Sequence, residues 1–514
     1  MPARSIMFQG TGSDVGKSLL VAGFCRLFAR RGLKVMPFKA QNMSNNAAVA
    51  DADGEIGEIG RAQWLQALAA GVAPSVHMNP VLLKPQSDKT SQVILRGRVV
   101  ATMGAREYQE YRGGLLPAVM ESYHTLAKDA DLVFLEGAGS PAEINLRSGD
   151  IANMGFARAA NIPVVLVGDI ERGGVIASLV GTHAVLPEAD RAMIKAFIVN
   201  KFRGDASLFD SGAAEIAART SWKNLGLVPH FAELSKLPQE DSLNLSAAIR
   251  QPSSADMLRI CILKTPHIAN FDDIDPLMQE AGVRVQWVVA GEVIPADADL
   301  VILAGSKSTI ADLEFIRAQG WDIDLQAHRR RGGRIMGICG GYQMLGKSLS
   351  DPHGAEGKKC AVQGLGLLDV DTVFAQEKTV NNWRGHSNLT THHSPLTTGY
   401  EIHLGETIGA DCARPVFIGD NGKPDGASSL DCLVWGSYIH GVFANDEFRN
   451  SFLDRLCHPA LVAGSGFADS ITRPRYKNGV TGYNYYENID NILNKWADML
   501  EAAVDVDQLL GLAK

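Results

Sequence analysis

A chain of 514 residues is too long for one hydrophobic core and should divide into several domains, each able to bury its own. With 46% hydrophobic and 21% charged residues and a net charge of −8, it has the make-up of a soluble globular protein, and nowhere does it concentrate the lysine and arginine that nucleic-acid binding needs. No apolar run approaches a membrane span and the N-terminus enters a strand and loop without a secretory pattern, so a cytoplasmic protein is expected, with no membrane and no nucleic-acid partner.

Residues 5–9 are short and apolar enough for a buried parallel strand. Gly10, Thr11, Gly12, Ser13, Asp14, Val15, Gly16, Lys17 and Ser18 follow, and then residues 19–30, apolar at helical spacing with basic residues at the end. Strand, glycine loop and helix in that order aim successive backbone N–H groups and the positive end of a helix dipole at one spot, which suits a polyphosphate. Lys17 is placed to reach outer phosphates and the Ser18 hydroxyl to reach Mg²⁺. The spacing is G-x5-G-K-S, one residue longer than the usual Walker pattern. In this longer form the loop resembles dethiobiotin synthetase and its relatives, which implies ATP used to phosphorylate a carboxylate.

After a second strand over residues 33–39 the chain turns polar and small through residues 40–46. Residues just past a strand's carboxyl end face the ligand crevice of an α/β sheet, so Lys39 and Asn42 are expected on the rim of the phosphate loop. Residues 53–60 read as a loop entering a helix at Arg61. Prolines 80 and 85 limit residues 81–84 to a short, irregular strand. Lys84, Lys89, Arg96 and Arg98 form a local positive excess able to hold carboxylates or phosphates, or to be a solvated face. Residues 131–140, D-L-V-F-L-E-G-A-G-S, run an apolar strand into a single carboxylate and a glycine turn, so Glu136 joins Ser18 as the expected metal ligand. Beyond it Asn145, Asp150 and Asn153 offer polar groups, Asp150 being expected at the substrate. Two further apolar runs, residues 162–168 and 193–200, complete a parallel sheet covered on both faces, and Asn200 is expected at the adenine.

In this order K-A-Q-N-M-S-N-N, E-I-G-R-A-Q, M-N-P-V-L-L-K-P, S-D-K-T-S-Q-V, L-E-G-A-G-S-P-A-E-I-N-L, V-G-D-I-E-R-G-G-V and V-N-K-F-R-G-D resemble the cobyric acid synthase family of the cobalamin pathway, throughout the first half of the chain.

A polar linker at residues 251–256 separates a second α/β series, beginning with a strand at 259 and its loop over residues 266–276. Residues 299–304 lead to Gly305 and Ser306, and residues 334–338 end at Cys339-Gly340-Gly341. A cysteine between small residues at a strand-to-helix turn has the construction of a nucleophile elbow. The helix start favours thiolate, and the Gly340 N–H with one from the Gly305-Ser306 loop can form an oxyanion hole. His440, ending the apolar run that starts at Val434, is the expected base on the same sheet edge; His386, His392, His393 and His403 sit mostly in polar loops. The other cysteines, 25, 261, 360, 412, 432 and 457, show no C-x-x-C pair and no zinc spacing, and read mostly as buried small hydrophobes of a reducing compartment. The constellation resembles the triad-type glutamine amidotransferases, yet Val442 stands where most carry a Glu, leaving a backbone carbonyl or a distant carboxylate to orient His440. Residues 488–504 carry Ile489, Ile492, Leu493, Trp496, Met499 and Leu500 at helical spacing, an amphipathic helix for docking on the body or for an oligomer contact.

The expected fold is α/β: a P-loop doubly wound parallel sheet (residues 1–250), an α/β glutamine amidotransferase domain (257–450) and a helical C-terminal extension (451–514). The resemblance implies a carbon–nitrogen ligase that takes glutamine and a corrinoid, adenosylcobyrinic acid a,c-diamide, and amidates four propionates (b, d, e and g) to give adenosylcobyric acid. Two alternatives stand beside it: another glutamine-dependent ligase, such as cobyrinate a,c-diamide synthase, and a nucleotide-switch scaffold with an inert second domain. The oligomeric state is not legible.

Overall fold

The computed structural model describes residues 3–86, 89–240, 257–357, 359–389, 395–457 and 483–514. The linker expected at 251–256, and His392 and His393, lie outside the described residues.

The first half is built on six parallel strands in the order Lys223–Pro229, Ile194–Phe202, Val164–Asp169, Arg4–Gly10, Leu132–Glu136 and Val35–Lys39. Alternation along each strand decides which face a side chain enters: Ile6, Phe8 and Phe134 join one core, and Met7, Val133 and Leu135 the other. Both faces are therefore covered, as the continuous apolar runs predict for a doubly wound sheet. The register pairs Phe8 with Glu136 and Lys39 with Glu136, which brings the carboxyl ends of three strands to one rim.

Two elements depart from the sequence reading. Residues 57–60 are not loop: Gly57–Gly60 is a strand pairing antiparallel with Ala47–Ala50, and a side chain at Gly57 would put a Cβ 2.6 Å from Gly97 Cα. Val81–Pro85 is a regular strand inside a four-stranded sheet ordered Gln41–Met43, Val81–Pro85, Thr90–Leu95, Arg98–Gly104. Pro80 precedes it and Pro85 is its last residue, so neither interrupts the ladder.

The second half repeats the parallel plan with Val283–Val288, Leu258–Leu263, Leu300–Leu303, Arg334–Ile338 and Val434–Ser437, and Ala427–Ser428 pairs antiparallel at the edge. A second sheet is dominated by the long hairpin Asp371–Ser387 and Leu396–Ile408, whose second strand pairs with Ile439–His440. The run from Val434 to His440 is thus not one strand: it leaves the parallel sheet after Ser437 and joins the other at Ile439.

The long helix Tyr485–Ala503, followed by the short Val506–Leu512, docks on the first half. Its apolar face, including Ile489, Leu493, Trp496 and Leu500, lies on the helix Lys17–Arg30, and the Trp496 Nε1–H donates to the Leu19 carbonyl at 2.7 Å. Gly23 leaves the room for it, since a Cβ there would come within 2.4 Å of Leu500 Cδ1. Beyond the helix, Asp505 N–H donates to the Leu225 carbonyl and Ser5 N–H to the Lys514 carbonyl, so the chain's last residues join the sheet of its first. No helix among the described residues is long and apolar enough to cross a membrane. All seven cysteines are free, but only Cys25, Cys261 and Cys339 are buried, and Cys360 is exposed, fewer in the core than the sequence suggests.

Candidate active sites

The phosphate loop leaves the central strand and enters the helix Lys17–Arg30 through Gly16 at φ 92°, a left-handed turn open to glycine. No larger residue fits there, because a Cβ would sit 2.4 Å from Asn200 Nδ2. That amide donates one N–H to the Val15 carbonyl at 2.9 Å, so Asn200, expected at a base, also braces the loop from beneath. Lys17 folds back over the loop to the carbonyls of Gly12 (3.1 Å) and Gly139 (3.4 Å). Burial pushes its ammonium down, against the pull of Glu136.

Beside the loop, four polar side chains converge. The Ser18 hydroxyl donates to Glu136 Oε1 at 2.8 Å and lies 3.1 Å from Glu240 Oε2, while Lys39 Nζ bridges the same two carboxylates at 2.9 and 3.2 Å. Gln66 holds the other Glu136 oxygen at 2.9 Å. Burial works against the charges of Lys39 and Glu240. Even so, the two carboxylates hold Lys39 above its ordinary value, and Lys39, Asn42 and Ser18 hold Glu240 below its own. A hydroxyl and two carboxylates on one spot, already spanned by a cation, are a donor set that fits Mg²⁺. Glu240 was not singled out from the sequence, because it follows no strand. The rim residues Ser44 and Asn46 position it, donating to the backbone carbonyls of Glu240 and Gln239.

Asn42 is buried between Gln63 (3.0 Å), its own following N–H (2.8 Å) and the Glu240 carboxylate. Asp150 stands at the wall of the same cavity, but its carboxylate accepts from the N–H groups of Ala152, Asn153 and Gly155 at 2.8–2.9 Å. Its carboxylate thus gathers the backbone N–H groups at the entry to the helix Met154–Ala159. The cavity that these groups line measures 1290 Å³, larger than the roughly 300–1,000 Å³ typical of a small-molecule pocket. Of the basic excess, Lys84 is buried against Glu58 at 2.6 Å and Arg96 pairs with Glu121, so neither presents a free charge to it.

Cys339 is the strand-to-helix residue between Arg334–Ile338 and Gly340–Leu345, at φ 52° and ψ −110°, a backbone conformation few non-glycine residues adopt. Its neighbours must be small: a Cβ on Gly341 would meet the Leu303 carbonyl at 2.0 Å, and one on Gly340 the Ser306 nitrogen at 2.8 Å. Gly340 therefore lies against the Gly305-Ser306 loop, and a Cβ on Gly305 would be 3.2 Å from His440 Cε1. The sulfur is 3.6 Å from the Ile402 carbonyl, and the residue is 7% exposed, at the edge of a small second cavity.

His440 closes the constellation. Its Nδ1 meets Asp273 Oδ2 at 2.7 Å, and Asp273 Oδ1 accepts the Gly441 N–H at 2.6 Å, which leaves Nε2 for the Cys339 sulfur. Burial disfavours the imidazolium, but the Asp273 charge and hydrogen bond and the sulfur outweigh it and raise His440 to about 10. The carboxylate missing after the histidine is thus supplied from 167 residues upstream. Asp273 sits in the loop following Leu258–Leu263, the first strand of this half, at the carboxyl edge where ligand-facing residues collect; that placement was its only signal. Its neighbour Asp272 turns to the first half and pairs with Arg61 at 2.6 Å. His403, expected in a polar loop, lies instead on the strand Leu396–Ile408, lines the same cavity, and stacks on Tyr438 with ring centres 3.8 Å apart. Burial, with the nearby His440, lowers it to about 4 despite its bond to the Gly405 carbonyl, so it stays neutral.

Comparison with known proteins gives two family matches. Residues 6–245 match the CobQ/CobB/MinD/ParA nucleotide binding domain, and residues 259–448 the CobB/CobQ-like glutamine amidotransferase domain. The chain is 56% identical to cobyric acid synthase of Methylorubrum populi, over 99% of both chains. It is 57% identical to the Methylobacterium nodulans enzyme over the whole of both, and 55% identical to that of Brucella canis over 99% of this chain and 100% of the relative.

Proposed function

The chain belongs to the cobyric acid synthase family, glutamine-dependent ligases of cobalamin biosynthesis, and from that premise we propose how its two sites divide the reaction. The second half, residues 257–450, hydrolyses glutamine. Cys339 attacks the side-chain amide carbon as thiolate, and the oxyanion that forms is met by the Gly340 N–H and one from the Gly305-Ser306 loop. His440 gives its Nε2 proton to the departing nitrogen, so ammonia leaves and a glutamyl thioester remains. It then takes a proton from water, whose oxygen displaces the sulfur to give glutamate. Asp273 holds the ring in the tautomer and orientation that both transfers need.

The first half, residues 1–250 completed by the C-terminal helices, makes a carboxylate reactive. A carboxylate is a poor electrophile and oxide a poor leaving group, so activation must come first. Residues 10–18 would cradle the phosphates of ATP, with Lys17 on the outer ones, and Ser18, Glu136 and Glu240 would hold Mg²⁺, which supplies charge neutralisation there. Lys39 and Asn42, at the same rim, would position the carboxylate that receives the γ-phosphoryl group. Ammonia attacks the acyl phosphate, phosphate leaves, and an amide forms. The substrate, by family, is adenosylcobyrinic acid a,c-diamide, amidated at its b, d, e and g propionates in the cytoplasm.

The single observation that carries this reading is the coexistence, in one chain, of the Cys339-His440-Asp273 relay and the carboxylate cluster on the phosphate loop. The test is to incubate the pure protein with the corrinoid, MgATP and glutamine and follow product mass. Four successive replacements of OH by NH₂ are expected. Two replacements would point to an a,c-type diamidation instead, and glutamate formation absent from both the native chain and Cys339→Ala would point to a nucleotide switch.

A further inference from the structure

Around Cys339 the cavity wall carries three lysines, Lys84, Lys307 and Lys378, against a single carboxylate, Glu356. Their pairing is unequal. Glu58, fully buried, meets Lys84 through Oε2 at 2.6 Å and Lys378 through Oε1 at 2.5 Å, so one carboxylate holds both. Glu356 accepts the Thr309 N–H at 2.9 Å through Oε1 and the Ile310 N–H at 3.0 Å through Oε2, where the helix Thr309–Ala318 begins. Lys307 is left over. It is 8% exposed, and its ammonium makes no hydrogen bond and no ion pair among the described residues.

The loop fixes where this charge stands. Lys307 follows Gly305 and Ser306 directly, and its own backbone N–H donates to the His267 carbonyl at 2.9 Å. The Ser306 hydroxyl donates to Asp312 Oδ2 at 2.6 Å and accepts the Ser308 N–H at 3.1 Å. The lysine is therefore anchored on the loop that packs on Gly340 and the His440 ring. Burial, with the Lys84 charge, pulls its ammonium down to about 8, although Glu356, Glu58 and Cys339 pull the other way. At neutral pH it stays charged. A cation held out of water without a partner is costly, and such a group is retained where a ligand neutralises it.

We propose that Lys307 binds the α-carboxylate of glutamine and so makes the thiol site select an α-amino acid amide over other primary amides. This rests on the reading above that Cys339 hydrolyses glutamine. With the amide carbon at the sulfur and the amide oxygen at the Gly305-Ser306 loop, three carbons lead on to the α-carboxylate, and the four-carbon stem of Lys307 starts from that same loop. Lys84 and Lys378 are held by Glu58, which leaves Lys307 as the cation whose donors are unengaged. It touches a part of the substrate that does not react. It decides which amide is held, whereas a lysine that only supported the Cys339 thiolate would act on every amide alike.

The experiment measures ammonia release by the full-length enzyme from glutamine and from 4-aminobutanamide, which is glutamine without the α-carboxylate. The native enzyme is expected to prefer glutamine by about 100-fold in kcat/KM. In Lys307→Met the KM for glutamine should rise about 30–100-fold with kcat within about three-fold, and the preference should shrink to less than about ten-fold. Lys307→Gln should do the same, so a failure of one variant to fold leaves the other to report, and amidation supported by ammonium chloride at the nucleotide site shows which variant is folded. An equal loss with both amides in a folded variant, or an unchanged KM for glutamine, overturns the proposal. A native enzyme indifferent to the carboxylate overturns it as well, whereas a native enzyme that releases no ammonia from glutamine overturns the reading of Cys339 itself.

Discussion

The nucleotide site and the thiol site are organised by opposite rules. In the first, the loop, Lys39 and Glu136 all follow directly on neighbouring strands of one sheet, and local motifs carry most of the geometry. In the second, the strained elbow is local, but the histidine rides on a chain that has changed sheets and its carboxylate comes from the far end of the half. A phosphate-binding site needs backbone N–H groups, which one turn supplies. A proton relay needs side chains at set distances, and tertiary structure is free to recruit them from anywhere.

The largest effects should separate the two. Lys17→Ala should abolish amidation whether nitrogen comes from glutamine or from ammonium chloride, whereas Cys339→Ala should cost about 10⁴-fold with glutamine and leave the ammonium-supported rate within two-fold. Equal losses with both nitrogen sources in the cysteine variant would erase the distinction. Next, Asp273→Asn should lower glutaminase kcat by about 10²–10⁴-fold without touching the ammonium-supported rate. The pH profile gives the sign. His440 is raised to about 10, so its protonated form persists below that value and is lost as pH rises through it. Without the Asp273 charge, burial pulls the ring down and the alkaline limb of the profile should move to lower pH, making the deficit greater at pH 8 than at pH 6. An unmoved limb would mean that Asp273 only fills space.

Of intermediate size, Glu136→Gln should weaken Mg²⁺ activation by about 10–100-fold in an ATP-dependent assay, with glutaminase unchanged. Trp496→Ala removes a buried indole from the seat on Lys17–Arg30 and should cost about 3–5 kcal/mol in denaturant unfolding of the first half. Smallest is an acid effect at Glu58, which pairs with Lys84 of the first half and Lys378 of the second. Burial opposes the Glu58 charge, but Lys378 and Lys84 overrule it and hold the carboxyl at about 2 against an ordinary 4.5. Its contribution is complete above 4.5 and fades as pH falls toward 2, so Glu58→Gln should flatten the acid limb of stability in that window.

Much of this was legible in the sequence because strands buried on both faces read as apolar runs and end on the residues that do chemistry. Glu136 and Lys39 end such strands and Cys339 follows one directly, whereas His440 comes only after the chain has changed sheets. Asp150 and Asn200 show its limit: each stands at the rim, but the bonds of the Asp150 carboxylate and the Asn200 Nδ2 to backbone are set by tertiary structure that pattern does not reveal. Glu240 and Asp273 escaped because neither ends a strand, and the regularity of Val81–Pro85 escaped because prolines flank it.

The docking of Tyr485–Ala503 on Lys17–Arg30 has a consequence for how the molecule is made. Synthesis runs from the N-terminus, so the nucleotide-binding sheet emerges long before the indole and leucines that cover its outer helix. Until residues 485–503 have followed, that helix carries an uncovered apolar face, so the core of the first half is completed only after the whole of the second half has been made.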